Sequence, residues 1–167
     1  MDRAPDGRSS AGVLSDLLSP SAIRVGASAA DWREAVRVAG DALVASGATS
    51  DGYTDEMIGT VETLGPYIVI APGVALAHAR PSSSVRRAGL SLVTLVTPVP
   101  FGHQQNDPVW LVIGLAAPDA NGHVEALATL AEFIADDGRR DALKRATDGA
   151  AVRSLIAAYE TPTTVLP

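Results

Sequence analysis

The chain has 167 residues, 47% of them hydrophobic and 19% charged, which fits one folded domain with a full core and excludes a disordered chain. A net charge of −6 leaves no basic footprint for nucleic acid or an anionic lipid surface. With no cysteine, disulfides, thiolate chemistry and cysteine–metal sites are excluded, while the redox compartment stays open.

Residues 1–10, MDRAPDGRSS, are polar and lack the apolar stretch of a signal peptide, so they read as a flexible tail. The folded domain is expected over residues 11–160, with a C-terminal tail at 161–167. The longest uninterrupted apolar run, Val109–Pro118, is too short to span a bilayer, and a cytoplasmic protein is expected. Val13, Leu14, Leu17 and Leu18 have helical spacing, and Ser19-Pro20 stops that short helix. Ala22–Val25 reads as a strand. Ser28 and Asp31 are spaced like a capping box. Behind them Trp32, Ala35, Val36, Ala39, Leu43 and Val44 form an apolar stripe, which predicts a helix over Ala29–Ser46 closed by Gly47. A second helix carries Tyr53, Met57, Ile58, Val61 and Leu64 on one face and ends at Gly65-Pro66.

The next stretch, GPYIVIAPGVALAHARP, holds two short apolar runs around the turn Ala71-Pro72-Gly73 and ends on His78, Arg80 and Pro81. Ser82–Arg87 is a polar connection. Leu90–Val96 and Val109–Ala116 read as buried strands. Pro98–Gly102 breaks the first of these, and the polar loop HQQNDP separates them. Pro118–Gly122 reads as a turn cluster. A helix beginning near His123 then presents Val124, Leu127, Leu130, Ala131 and Ile134, and two shorter helices follow at Asp141–Arg145 and Ala150–Tyr159. The order of elements predicts an α/β domain with a central mixed β-sheet sandwiched by helices.

Three histidines carry the candidate chemistry. His78 stands at a strand end, where ligands of α/β sheets gather, and is the leading candidate. His123 opens a helix, and His103 reads more simply as a loop residue. Imidazole titrates at about 6.5 when unperturbed, so at neutral pH a ring nitrogen is available to attack phosphorus. Such a site must orient the ring and stabilise three phosphoryl oxygens. Arg80, His123, the hydroxyls of Ser82–Ser84 and a helix N-terminus are the donors on offer. A metal centre on His78, His103 and His123 with Asp107 is a weaker alternative, because none has local ligand spacing. Lys144 is the only lysine and no Gly-x-x-x-x-Gly-Lys run exists, which excludes a P-loop; Gly-x-Ser-x-Gly and His-Glu-x-x-His are also absent. Asp136-Asp137 reads as a solvated helix end, and Trp32 and Trp110 as core.

GPYIVIAPGVALAHARP, FGHQQNDPV and GHVEALATLAEFI together resemble the enzyme IIA component of the bacterial phosphoenolpyruvate-dependent sugar phosphotransferase system. The likeness is to its mannitol/fructose superfamily and, through AHARP and FG…NDPV, to the ascorbate-type branch; it spans roughly Leu14 to Tyr159. The resemblance implies the mannitol/fructose-type enzyme IIA fold and a phosphotransferase that works without a cofactor. His78 would accept a phosphoryl group from the histidine-containing phosphocarrier protein. It would pass that group to a cysteine of a IIB protein serving a membrane IIC transporter, for uptake of ascorbate or a related sugar or polyol. His123 would hydrogen-bond the imidazole and phosphate. Two departures stand out: Ala77 occupies the place where the family usually has proline, and Val61 stands nearest the position of a phosphate-supporting arginine. Arg80 is expected to take over that support. Two other readings remain, a regulatory module of the same fold and a small metal-dependent enzyme. An isologous homodimer is an expectation that no motif carries. A shallow apolar rim for partner docking would come from Val99, Phe101 and the Ala/Val-rich strand ends, residues that read equally well as core.

Overall fold

The computed structural model describes residues 13–160, and the side chains of all of these except 13 and 120–123. The chain enters through α1 (Val13–Leu17), a single 3-10 turn at Pro20–Ala22, β1 (Ile23–Ala27), α2 (Trp32–Ala45) and α3 (Asp51–Leu64). The sheet then fills in with β2 (Val69–Ala71), β3 (Val74–His78), β4 (Gly89–Val99) and β5 (Val109–Ala116). Three helices close the domain: α4 (Ala120–Ile134), α5 (Asp137–Arg145) and α6 (Gly149–Glu160). The five strands lie in the order β1-β4-β5-β3-β2, as the predicted mixed α/β sheet. β1 runs parallel to β4 and β3 parallel to β5, while β4–β5 and β2–β3 are antiparallel.

Side-chain alternation splits the strands between two cores. Ala75, Ala77, Val93, Leu95, Val112 and Ala116 face α2 and α3, whereas Val74, Leu76, Leu90, Leu92, Leu111, Ile113 and Leu115 face α1, α4, α5 and α6. β5 is buried along its whole length, which explains its unbroken apolar run. α2 lies very close to the sheet. The Ser91 hydroxyl donates to the Ala39 carbonyl at 2.8 Å, and a Cβ on Gly114 would stand 2.4 Å from that hydroxyl.

Several local expectations shift for identifiable reasons. The cap of α2 is Asp31, not Ser28: its carboxylate accepts from the Glu34 N–H at 2.9 Å, and the Glu34 carboxylate accepts from the Ala30 N–H at 2.5 Å. The box therefore sits three residues later, and the helix starts at Trp32 and not Ala29. At its other end Gly47, with φ +84°, donates to Val44 while Ala48 donates to Leu43, a Schellman closure that needs the left-handed backbone. β4 continues through Pro98 because its pairing with β1 ends at Leu95, so the missing N–H breaks no ladder on that side. α4 begins at Ala120, inside the expected turn cluster. Its buried face is Ala126, Leu130, Phe133 and Ile134, while Val124 and Ala131 are exposed. Leu64, expected in the core, is 64% exposed at the end of α3.

Candidate functional site

His78 is the last residue of β3, hydrogen-bonded in register with Leu115 of the central strand, so the sheet fixes its backbone. Tyr53 of α3 secures the step beyond it. Its fully buried hydroxyl accepts from the Ala79 N–H at 3.0 Å and donates to the Leu115 carbonyl at 2.7 Å. Burial first, set against the backbone bond to Ala79, pushes the Tyr53 phenol up to about 12, so the hydroxyl keeps its proton. One buried side chain thus ties the strand end that carries His78 to both α3 and β5.

The His78 ring is half-buried, and its Nδ1 lies 3.0 Å from the Leu76 carbonyl oxygen. A carbonyl can only accept, so this contact puts the proton of a neutral imidazole on Nδ1 and the lone pair on Nε2. The Tyr67 hydroxyl lies 3.5 Å from Nε2, and the two rings meet edge to face at 5.8 Å between centroids. Partial burial holds the Tyr67 phenol above its ordinary value.

These groups open into a cleft of about 760 Å³ at the end of the sheet, between the two helix layers. α3 contributes Glu56, Gly59, Thr60, Thr63 and Leu64, and the segment after β3 contributes Ala79–Ser82. Val124 lines the α4 side. Arg80 is exposed in this wall, and no hydrogen bond or ion pair engages it among the described residues. Glu56 holds the loop: one carboxylate oxygen accepts from the Ser82 hydroxyl at 2.7 Å and the other from the Ser84 hydroxyl at 2.8 Å. Ser82 and Ser84, expected as phosphate donors, are committed to this clasp. Val61, nearest the family's arginine position, is buried in the core and brings nothing to the cleft.

His123 lies in the first turn of α4, and the next residue, Val124, lines the cleft; its own side chain lies outside the described residues. His103 is elsewhere. Its Nδ1 accepts from the Gln105 and Asn106 N–H groups at 3.2 and 3.1 Å, and Asn106 in turn accepts from Gly73 at 2.8 Å. That loop anchors at the start of β3, so roughly 16 Å of strand separates its anchor from His78. The Asp107 carboxylate organises the same loop by accepting from Phe101, Gly102 and His103. Among the described residues no group of three or more His, Asp or Glu side chains is placed to hold a metal ion. Nor is any described helix long and apolar enough to cross a membrane.

Val99 and Phe101, left open between rim and core by the sequence, are core at 4% and 5% exposure, and the apolar rim is Leu64, Tyr67 and Val124. Sequence reasoning passed over Tyr67, Tyr53 and Glu56. Tyrosine on a buried helical face was the available signal, because a buried hydroxyl seeks a partner. Tyr67 reaches His78 because Val69 pairs with Ala75, which sets residue 67 beside the end of β3.

The family model for the EIIA type 2 component of the phosphoenolpyruvate-dependent sugar phosphotransferase system matches residues 16–159. The chain is 40% identical over 141 residues to the ascorbate-specific phosphotransferase system EIIA component of Salmonella choleraesuis, covering 84% of this chain and 92% of that one. Its fold is similar to the mannitol-specific cryptic phosphotransferase enzyme IIA CmtB of Escherichia coli, with a TM-score of 0.78, 33% identity, and 87% and 98% of the two chains covered. It is also similar, with a TM-score of 0.75 and 27% identity over 85% of this chain and 99% of the other, to the complex of enzyme IIAMTL with phosphorylated enzyme IIBMTL from Escherichia coli.

Proposed function

The chain belongs to the EIIA type 2 family of the phosphoenolpyruvate-dependent sugar phosphotransferase system, and we propose that its Nε2 of His78 is the atom that carries the phosphoryl group. The observation that supports this reading most is the Leu76 carbonyl on Nδ1, which leaves the lone pair on the other nitrogen. Nε2 forms a bond to the phosphorus of an incoming phosphohistidine as the donor's P–N bond breaks, its electron pair returning to the donor imidazole. The Nδ1 proton stays on the His78 ring, held by the Leu76 carbonyl, so the phosphorylated ring remains a good leaving group. The second transfer reverses these roles, with a partner thiolate as the nucleophile.

Positioning and charge stabilisation carry this chemistry. Arg80 is the guanidinium in the cleft wall, and our reading gives it the phosphoryl oxygens. His123, from the α4 turn that borders the cleft, is the second donor. The donor protein is the histidine-containing phosphocarrier protein and the acceptor a IIB cysteine, and both dock on the rim of Leu64, Tyr67 and Val124. The IIA–IIB complex known for the mannitol relative supports the second partner. Relatives named as ascorbate-specific support ascorbate or a related sugar acid as the transported compound. The protein works in the cytoplasm, beside the membrane component it supplies.

Incubation with phosphoenolpyruvate, enzyme I and the phosphocarrier protein tests the proposal. We expect acid-labile, base-stable label on the wild-type chain, none on His78→Ala, and a strong slowing in Arg80→Ala. Label that persists in His78→Ala would refute the assignment, and near-normal transfer in Arg80→Ala would remove that residue's role.

A further inference from the structure

We infer that Tyr67 is a phosphoryl-contacting residue, its hydroxyl bonding an oxygen of the group carried on His78 Nε2; the inference rests on the carrier reading above. At 3.5 Å the hydroxyl is long for a direct bond to Nε2. A phosphoryl oxygen on phosphorus bound to Nε2 lies nearer that nitrogen than the hydroxyl does, within hydrogen-bond reach of it. The edge-to-face packing of the rings, 5.8 Å apart at 75°, fixes that distance by contact, and the hairpin pairing of Val69 with Ala75 fixes the backbone beneath it.

The direction of donation is also set. Desolvation keeps the phenol protonated at neutral pH, so it offers a donor to an anion. The contact suits a carrier, because a donor that waits beside the nucleophile bonds the phosphoryl group only once it has arrived. Tyr67 is 45% exposed and its ring lines the cleft, so the same side chain lies where a docking protein must pass. Its hydroxyl makes no other hydrogen bond among the described residues, so Tyr67→Phe removes one donor and little else.

Phosphoramidate, a small-molecule donor, separates this inference from the identity of the protein donor. Nε2 bonds to its phosphorus, its P–N bond breaks, and ammonia leaves. The full chain, with ring-labelled tyrosine, is phosphorylated in this way and titrated by NMR from pH 8 upward, where phosphohistidine is stable. Ring-labelled tyrosine reports the Tyr67 phenol directly, and its signal is assigned by its loss in Tyr67→Phe. We expect the phenol to become an about tenfold weaker acid on phosphorylation. We also expect the 31P resonance to move in Tyr67→Phe. With the enzymic donor, the equilibrium ratio of phosphorylated chain to phosphorylated donor should fall about tenfold in that variant.

A phenol shift below twofold, with superimposable 31P resonances, overturns the inference, as does failure of phosphoramidate to label His78. Wild-type chain that takes label from phosphoramidate but none from the phosphocarrier protein sinks the carrier reading instead, and the phenol titration still decides Tyr67.

Discussion

Tyr53→Phe tests whether one buried hydroxyl holds the end of β3. The substitution keeps the ring and its packing in the core and removes a single oxygen. That oxygen accepts from Ala79 at 3.0 Å and donates to Leu115 at 2.7 Å, with the Ala79 carbonyl at 3.2 Å as a minor alternative. Ala79 is buried, so its N–H is left without a partner at a cost of about 1–3 kcal/mol, and the lost bond to Leu115 adds about 1 kcal/mol. A total of about 2–4 kcal/mol corresponds to a fall in Tm of roughly 5–15 °C for a chain of this size. Urea unfolding followed by tryptophan fluorescence reads the change in midpoint at constant slope. The phenol adds a pH signature. Its value is raised from 10 to about 12 on folding, so the folded state binds the extra proton. The associated stabilisation, about 2–3 kcal/mol, is fully present below pH 10 and is lost as pH rises through 12. Tyr159 and Tyr67, also raised, titrate in both proteins, so the difference between wild type and variant isolates Tyr53. A variant within about 0.5 kcal/mol of wild type, with an unchanged alkaline limb, would refute the idea that this hydroxyl anchors the strand.

Three further outcomes follow from the same geometry. Gly73 has φ +77° and a Cβ there would meet the Trp110 ring at 2.4 Å, so Gly73→Ala should destabilise by about 2–4 kcal/mol, measured by thermal unfolding. Glu56→Ala should release the Ser82–Ser84 segment; amide exchange there should rise markedly while global stability changes by less than about 1 kcal/mol, because the clasp is largely exposed. Asp107→Ala leaves three backbone N–H groups of the Phe101–His103 turn without their acceptor and should cost about 2 kcal/mol in urea unfolding.

β5 was legible because it is short, apolar and buried along its whole length, and Val109–Ala116 was read to the residue. Helix ends were less so. Ser28/Asp31 and Asp31/Glu34 both satisfy a cap pattern, and only the folded backbone, with the Asp31 carboxylate accepting from the Glu34 N–H, selects the second. The apolar stripes of α3 and α4 misled for a different reason. Periodicity shows that a face exists but not how far round the helix the core reaches, so Val124 and Leu64 were counted inside when they rim a cleft. His103 could be set aside only once its ring was seen accepting two backbone N–H groups at the far end of β3.

By itself the sequence determined the class of sheet, the strand that ends on His78, the absence of competing thiol and nucleotide-loop chemistry, and a family resemblance strong enough to point to phosphoryl transfer. All of these live in local pattern, which a linear chain displays. Tertiary structure alone decided which nitrogen of His78 keeps its proton, that Ser82 and Ser84 answer to Glu56, and that Tyr53 and Tyr67 flank the histidine from positions 25 and 11 residues away. A hydrogen bond is a matter of a few tenths of an ångström and an angle, and only the packed sheet, by bringing distant backbone groups into register, sets either one.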